Sequence, residues 1–123
     1  MKLVLVVDDE FGIVDSLSEV LSERGFVVAG AANGKDGLRR VMERRPDLIL
    51  LDYMMPVMNG PDMLHELQAD AQLSTIPVVM MSAVPRASFP DGCNPNGFLR
   101  KPFDLDALLA EVDRLLGPAP LAG

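Results

Sequence analysis

Four groups of polar residues, each closing an apolar run, are the parts of this chain best equipped for chemistry. Asp8 and Asp9 follow Leu3 to Val7, Asp52 follows Leu48 to Leu51, Ser82 follows Ile76 to Met81, and Lys101 comes just after Phe98-Leu99. If these groups meet, the carboxylates repel one another and need a cation. Oxygen ligands without a partnering histidine or cysteine suit Mg²⁺, which binds few carboxylates and keeps several waters. A lysine beside them neutralises surplus charge and can contact an incoming anion. A serine hydroxyl can hydrogen-bond an oxygen of the same anion. Such a set fits phosphoryl transfer, in which a metal and positive groups hold the equatorial oxygens during in-line attack. Asp52 is the natural nucleophile, because carboxylates form aspartyl-phosphate intermediates. Asp8 and Asp9 would then hold the metal.

The apolar runs must be strands for this to work. Leu3 to Val7, Leu48 to Leu51 and Ile76 to Met81 are continuous and short, as in strands covered on both faces. Phe26 to Ala29 reads as a weaker strand and Phe98-Leu99 as a very short one. Between them lie helical patterns. Ile13, Leu17, Val20 and Leu21 share one face, with Gly25 as the stop. Asn33-Gly34 opens the next helix, with Leu38, Val41 and Met42 inward. A third runs from Gly60 to about Ala69 behind Asn59 as cap, with Pro61 and Asp62 in its first turn. A last helix starts at Asp104, packs through Leu105, Leu108, Leu109, Val112, Leu115 and Leu116, and is closed by Gly117-Pro118. Strands alternating with helices imply an α/β fold, a single doubly wound five-stranded parallel sheet with helices on both faces. All strand ends then face one way, and distant residues meet in a shallow cleft at that rim. Val84 to Gly97 breaks the pattern: with Pro85, Pro90 and Pro95 it supports one short turn around Arg86 to Phe89, since an interior proline costs a helix about 3 kcal/mol.

The chain has 123 residues, enough for one domain. Apolar residues make up 49% and charged residues 24%, a globular composition. With 18 acidic against 11 basic residues the net charge is -7, so no basic footprint for nucleic acid exists and direct binding is disfavoured. Cys93 is the single cysteine, which excludes an internal disulfide. The apolar run after Met1-Lys2 is too short for a signal peptide or membrane span and ends in Asp8-Asp9-Glu10. The expectation is a cytoplasmic protein that does not engage a membrane.

The sequence resembles the receiver domain of two-component response regulators, a flavodoxin-like (CheY-like) fold. LVLVVDDE (Leu3 to Glu10), LILLDYMMPVMNG (Leu48 to Gly60), VVMMSA (Val78 to Ala83) and FLRKPF (Phe98 to Phe103) carry the likeness, which covers Lys2 to about Leu116. No single motif is decisive; the ordered set is highly specific. The resemblance implies a phosphorylation-dependent switch. Asp52 is its phosphoacceptor, Asp9 a direct Mg²⁺ ligand, Asp8 a ligand chiefly through water, and the Met54 carbonyl a further ligand. It gives Ser82 and Lys101 the roles of the hydroxyl and the amine that approach the phosphoryl group, and makes Ser82 and Phe98 the switch pair. The Lys101-Pro102 bond is expected to be cis. The implied partners are a sensor histidine kinase or phosphotransfer protein, a downstream protein target, and a second copy in a phosphorylation-dependent homodimer. Residues 1–117 form the receiver domain and 118–123 a flexible tail or the start of a linker. The irregular Val84 to Gly97 segment departs from the family, which usually has its fourth helix there, on a face used for dimerisation or signalling.

Plainer readings exist for each residue. Asp8-Asp9 alone suits a helix start, where the dipole favours acids, and Asp52 alone could cap a loop. Ser82 is a common kind of strand end, Lys101 could be a surface charge, and Phe98 could be core. Met54 and Val84 fall where the family tunes water access to the acyl phosphate. His65 reads as a solvent-side residue, and nothing near Cys93 marks it as reactive. Two other functions use the same residues: a degenerate receiver acting only as an interaction module, and a metal-dependent phosphatase with Asp52 as nucleophile. The second needs a general base and a substrate pocket that the sequence does not display, so a turnover enzyme is not expected. A dinucleotide-binding domain fails, because DDEFG rather than a glycine-rich loop follows the first strand.

Overall fold

A computed structural model describes residues 1–117. Its elements run β1 (Leu3–Val7), α1 (Phe11–Glu23), β2 (Val27–Ala31), α2 (Gly34–Glu43), β3 (Leu48–Asp52), α3 (Gly60–Gln68), β4 (Val78–Ser82), a 3₁₀ turn (Arg86–Ser88), β5 (Gly97–Arg100) and α4 (Leu105–Leu116). All pairings are parallel, in the order β2-β1-β3-β4-β5. Val7 pairs with Leu51, Asp52 with Met81, and Ser82 with Arg100, so the strands that carry the polar residues finish at one rim.

The continuous apolar strands are explained by two cores. Alternate residues of β1 and β3, Val4, Val6, Leu48 and Leu50, meet Leu17 and Leu21 of α1 and Leu108 and Val112 of α4. The intervening residues Leu5, Val7, Ile49 and Leu51 meet Val41 of α2 and Met63, Leu64 and Leu67 of α3 on the opposite face. Each fully buried Leu, Val or Met contributes about 1.5–3 kcal/mol.

Local chemistry fixes the helix ends. The side chains of Asn33, Asn59 and Asp104 accept from the backbone N–H groups of Asp36, Asp62 and Ala107, capping α2, α3 and α4. At the end of α1, Gly25 has φ 91. Its N–H donates to Ser22 O at 3.0 Å, and that of Phe26 to Leu21 O at 3.1 Å. These are the paired bonds of a Schellman motif, whose apolar contact Phe26 supplies by burying beside Leu21. For that reason β2 starts at Val27, not at Phe26 as the apolar run suggests.

Two inward assignments are corrected. Met42 is 74% exposed. Buried Gly37 lies on the inward side, where an added Cβ would stand 2.9 Å from Met63 Sδ. Leu105, in the first turn of α4, is also exposed, at 48%. The other bounds move by a residue or two: α3 ends at Gln68, β4 covers Val78–Ser82, and β5 gains Gly97 and Arg100. Between β4 and β5 only the Arg86–Ser88 turn forms, in line with the proline spacing. The proposed closing role of Pro118 and the tail at 118–123 lie outside the described residues. Among the described residues, no helix is long and apolar enough to cross a membrane.

Candidate functional site

Three strands place carboxylates and an amine at the C-terminal rim of the sheet. Asp8 follows β1 directly and is buried, at 2% exposure; Asp52, the last residue of β3, is at 6%. Asp9 is exposed beside them. One ligand oxygen from each of Asp8, Asp9 and Asp52 falls within 4.8 Å of the others. Lys101, just past β5, reaches across: its Nζ lies 3.1 Å from Asp8 Oδ2 and 3.0 Å from Asp52 Oδ1. Asp8 is further fixed through Oδ1, which accepts the N–H of Glu10 at 2.9 Å.

Ser82 ends β4, buried, and its Oγ accepts from the N–H of Val84 at 3.0 Å. That bond uses an oxygen lone pair and leaves the O–H proton available to donate. The Lys101 N–H donates to Ser82 O at 2.7 Å, tying the two strand ends together. Asp9, Asp52, Ser82, Lys101 and Met54 line one cleft of about 280 Å³, with Glu10, Tyr53, Ala83 and Val84. The side chain of Met54 is 70% exposed at its rim. The Lys101-Pro102 peptide is cis.

The charges do not cancel within this set. Burial pushes the Asp52 carboxyl up from an ordinary 3.8 to about 6. Hydrogen bonding from Lys101 works the other way, and the nearby Asp8 and Asp9 add to the rise. For Lys101, burial disfavours the ammonium, but the hydrogen bonds to Asp52 and Asp8 outweigh it and the pKa is raised. One cation therefore stands among three carboxylates. Oxygen-only donors with surplus negative charge at one rim fit Mg²⁺, and the residues present suit that ion.

Phe98 is not in this cleft. It is half-buried on β5, and its ring meets Phe89 edge-on, with centroids 5.6 Å apart at 77°. Phe89 in turn stacks on Tyr53, centroids 4.7 Å and 18°. Sequence reasoning missed this aromatic group, because the loop around Phe89 has no periodicity to reveal an inward residue. It also missed Val57, a β-branched residue at φ 69. Gly60 shows why the β3–α3 loop ends in glycine: an added Cβ would run into the carbonyl of Asp52 and lie 2.9 Å from Met80 Sδ. His65 is exposed, and Cys93 is partly buried.

Comparison with known proteins gives one consistent family and fold. The family described as "Response regulator receiver domain" matches residues 4–113. The DNA-binding dual master transcriptional regulator RpaA of Synechocystis is 34% identical over 121 residues, covering 94% of this chain and 49% of that protein. The chain thus spans about half the length of the curated relatives it matches. Among solved structures, the chemotaxis protein CheY4 of Vibrio cholerae superimposes with a TM-score of 0.85 at 30% identity, covering 94% of this chain and 99% of that one. The response regulator TrrA of Thermotoga maritima, solved in complex with Mg²⁺-BeF, gives 0.84 at 30%, covering 94% and 100%.

Proposed function

This chain belongs to the response regulator receiver domain family, and from that membership we propose that it is a phosphorylation-dependent signalling switch with Asp52 as phosphoacceptor. The observation that carries the reading is the placement of Lys101 Nζ within 3.1 Å of both Asp8 and Asp52 while Asp9 completes the carboxylate cluster. Receiver domains are signalling modules rather than turnover enzymes on external substrates.

The donor is a phosphohistidine on a sensor histidine kinase or phosphotransfer protein. An oxygen of Asp52 attacks phosphorus in line, the P–N bond breaks, and the imidazole leaves with its electron pair. Asp8, Asp9 and Asp52, with the carbonyl of Met54, would hold Mg²⁺. When bound, that ion neutralises charge on the transferring oxygens. Lys101 is released in part from Asp52 as the acyl phosphate forms, and its ammonium pairs with a phosphoryl oxygen. Ser82 donates its free O–H to another. Ser82 and Phe98 act as the switch pair, and the change is read by a downstream protein target or by a second copy of the chain. Direct nucleic-acid binding by this domain is not part of the proposal, and the cytoplasm is its proposed location.

Incubation with a small acyl phosphate and Mg²⁺, followed by intact-mass analysis, tests this. One added phosphoryl group that is lost in Asp52→Asn is the expected result. No adduct on the wild type, or an adduct that persists in Asp52→Asn, would overturn it. Sustained turnover of phosphoesters would favour the phosphatase reading instead.

A further inference from the structure

The segment joining β4 to β5 is anchored at its ends, where Asn96 exchanges hydrogen bonds with Val78 and Ala83 O accepts from Arg100, but its middle is held by little. Of residues 85–94, eight are exposed, and only Phe89 and Cys93 are partly buried. Both pack against the core beneath α2 and α3. The backbone bonds of Ser88, Phe89 and Cys93 reach only Pro85, Arg86 and Pro90, within the segment itself. The Arg86 guanidinium reaches just past it, donating to the carbonyl of buried Pro95 at 3.0 Å and so tying the exposed stretch to its own C-terminal end. Among the described residues, the hydrogen bond joining residues 85–94 to a more distant element is the exposed one from Gln68 Nε2 to Asn94 O, 3.3 Å.

Phe89 makes the specific contacts. Its ring stacks on Tyr53 and receives Phe98 edge-on, the two arrangements aromatic pairs favour. Tyr53 is a rigid platform, because its N–H donates to Met81 O and its carbonyl accepts from Gly60, both at 2.9 Å. It is also the residue after Asp52. Phe98 lies on the strand that delivers Lys101. The ring of Phe89 therefore sits between the residue that follows Asp52 and a residue of the strand that leads to Lys101.

We propose that Phe89 is a latch that holds the helix-less segment shut against the sheet, and that occupancy of the Asp52 site, acting through Tyr53 and Phe98, sets how often the latch opens. The latch itself is independent of the phosphoacceptor reading; its coupling to the site rests on that reading. An open latch leaves the segment tethered by its ends and by the Gln68 bond, and it exposes the faces of Tyr53 and Phe98.

Cys93 is the only cysteine, so its rate of labelling by an aromatic disulfide reports opening on the full chain. Phe89→Ala should speed labelling at least tenfold and speed tryptic cleavage after Arg86 in parallel, with cooperative thermal unfolding retained. Phe89→Tyr, which keeps the ring, should label at the wild-type rate. A folded Phe89→Ala protein that labels within twofold of wild type overturns the latch. If that variant has no cooperative transition, Tyr53→Leu removes the platform instead and is judged by the same criterion. For the coupling, wild type is labelled with Mg²⁺ and beryllofluoride while bound fluoride is followed by ¹⁹F NMR. Bound fluoride with a threefold or greater change in rate supports coupling, and bound fluoride without a change overturns it. Absence of bound fluoride counts against the phosphoacceptor reading, while the latch stands or falls on the Phe89→Ala rate.

Discussion

The ammonium of Lys101 lies 3.0 Å from Oδ1 of Asp52, yet the carboxyl it pairs with still titrates near 6. Burial and the neighbouring Asp8 and Asp9 together outweigh the lysine. The site is thus strained electrostatically, and in one direction.

The first consequence concerns pH. The folded-state pKa of Asp52 is above its unfolded value of 3.8, so the native state holds more protons between those two values. Stability contributed by the protonated form is complete below pH 3.8 and is lost as pH rises through about 6. At roughly 1.4 kcal/mol for each pKa unit the loss is at most about 3 kcal/mol. Solvent at the rim screens part of it, leaving on the order of 1 kcal/mol. Asp52→Asn should therefore unfold at a higher temperature than wild type at pH 7 without divalent ions, and the gap should close at pH 4. Calorimetry at the two pH values checks this; equal midpoints at pH 7 would contradict it.

The second consequence concerns metal. A divalent cation relieves the same repulsion, so Mg²⁺ should stabilise wild type at pH 7. The gain should be about 1.4 kcal/mol at ten times its dissociation constant. Chelation should reverse the effect, and Asp9→Asn or Asp52→Asn should reduce it severalfold. A thermal titration with MgCl₂, using NaCl at matched ionic strength as control, separates binding from screening.

Lys101 should behave in the opposite sense to Asp52. Replacing it with Met leaves buried Asp8 with only the Glu10 N–H as partner. We expect a loss of about 2 kcal/mol, less than for a fully buried pair because Lys101 keeps some solvent contact. In an Asp52→Asn background the loss should shrink by about 1 kcal/mol, since one of the two pairings is already gone. Denaturant unfolding of the four proteins of this cycle measures the difference. A strictly additive result would mean that the Lys101–Asp52 contact contributes nothing to stability.

Much of this fold is legible in the chain, for physical reasons. Parallel strands buried on both faces have to be continuous apolar runs, so Leu3–Val7 and Leu48–Leu51 stand out, and a shared rim follows once the sheet is parallel. The acidic set could be read because its members close those runs. What stayed hidden depends on tertiary contacts. A helical wheel allows Met42 to face inward; the closeness of Gly37 to Met63 and Val7 shows that α2 instead turns a glycine toward α3. Phe26 looks like a strand residue until its N–H is seen closing α1 on Leu21 O. Phe89 is one apolar residue among prolines and polar groups, and the rings of Tyr53 and Phe98, with the core behind them, give it a place.

Val57 is a local cost that the loop tolerates. Its φ is 69, and the Met58 N–H donates to Pro56 O at 2.7 Å, the i to i+2 bond of a γ-turn centred on Val57. A β-branched side chain is strained at positive φ. The side chain is 77% exposed, so replacing it removes little packing. Val57→Asn, which tolerates positive φ, should stabilise the domain by about 1 kcal/mol. Val57→Ile should leave stability within about 0.5 kcal/mol of wild type, because it keeps the branch. Urea midpoints for the pair decide the matter: an Asn variant less stable than wild type would show that the turn needs the Val side chain.

The lifetime of an acyl phosphate on Asp52 should depend on the apolar side chains at the mouth of the cleft. Met54 and Val84 both line it beside Asp52. Hydrolysis needs a water in line with the P–O bond, held by a group that accepts its proton or orients it. Neither the thioether-bearing chain of Met54 nor the isopropyl group of Val84 does this well. Met54→Asn places an amide at the rim, and a single oriented hydrogen bond of about 1 kcal/mol corresponds to roughly a fivefold faster loss of phosphoryl. Val84→Ala widens the mouth without adding an acceptor and should change the rate by less than about twofold. Because Met54 is mostly exposed, thermal stability should stay within about 0.5 kcal/mol of wild type. That separates an effect on chemistry from one on folding. Single-turnover dephosphorylation after removal of the donor gives the rates. If Met54→Asn loses phosphoryl as slowly as wild type while Val84→Ala speeds up severalfold, steric access rather than water orientation governs the lifetime.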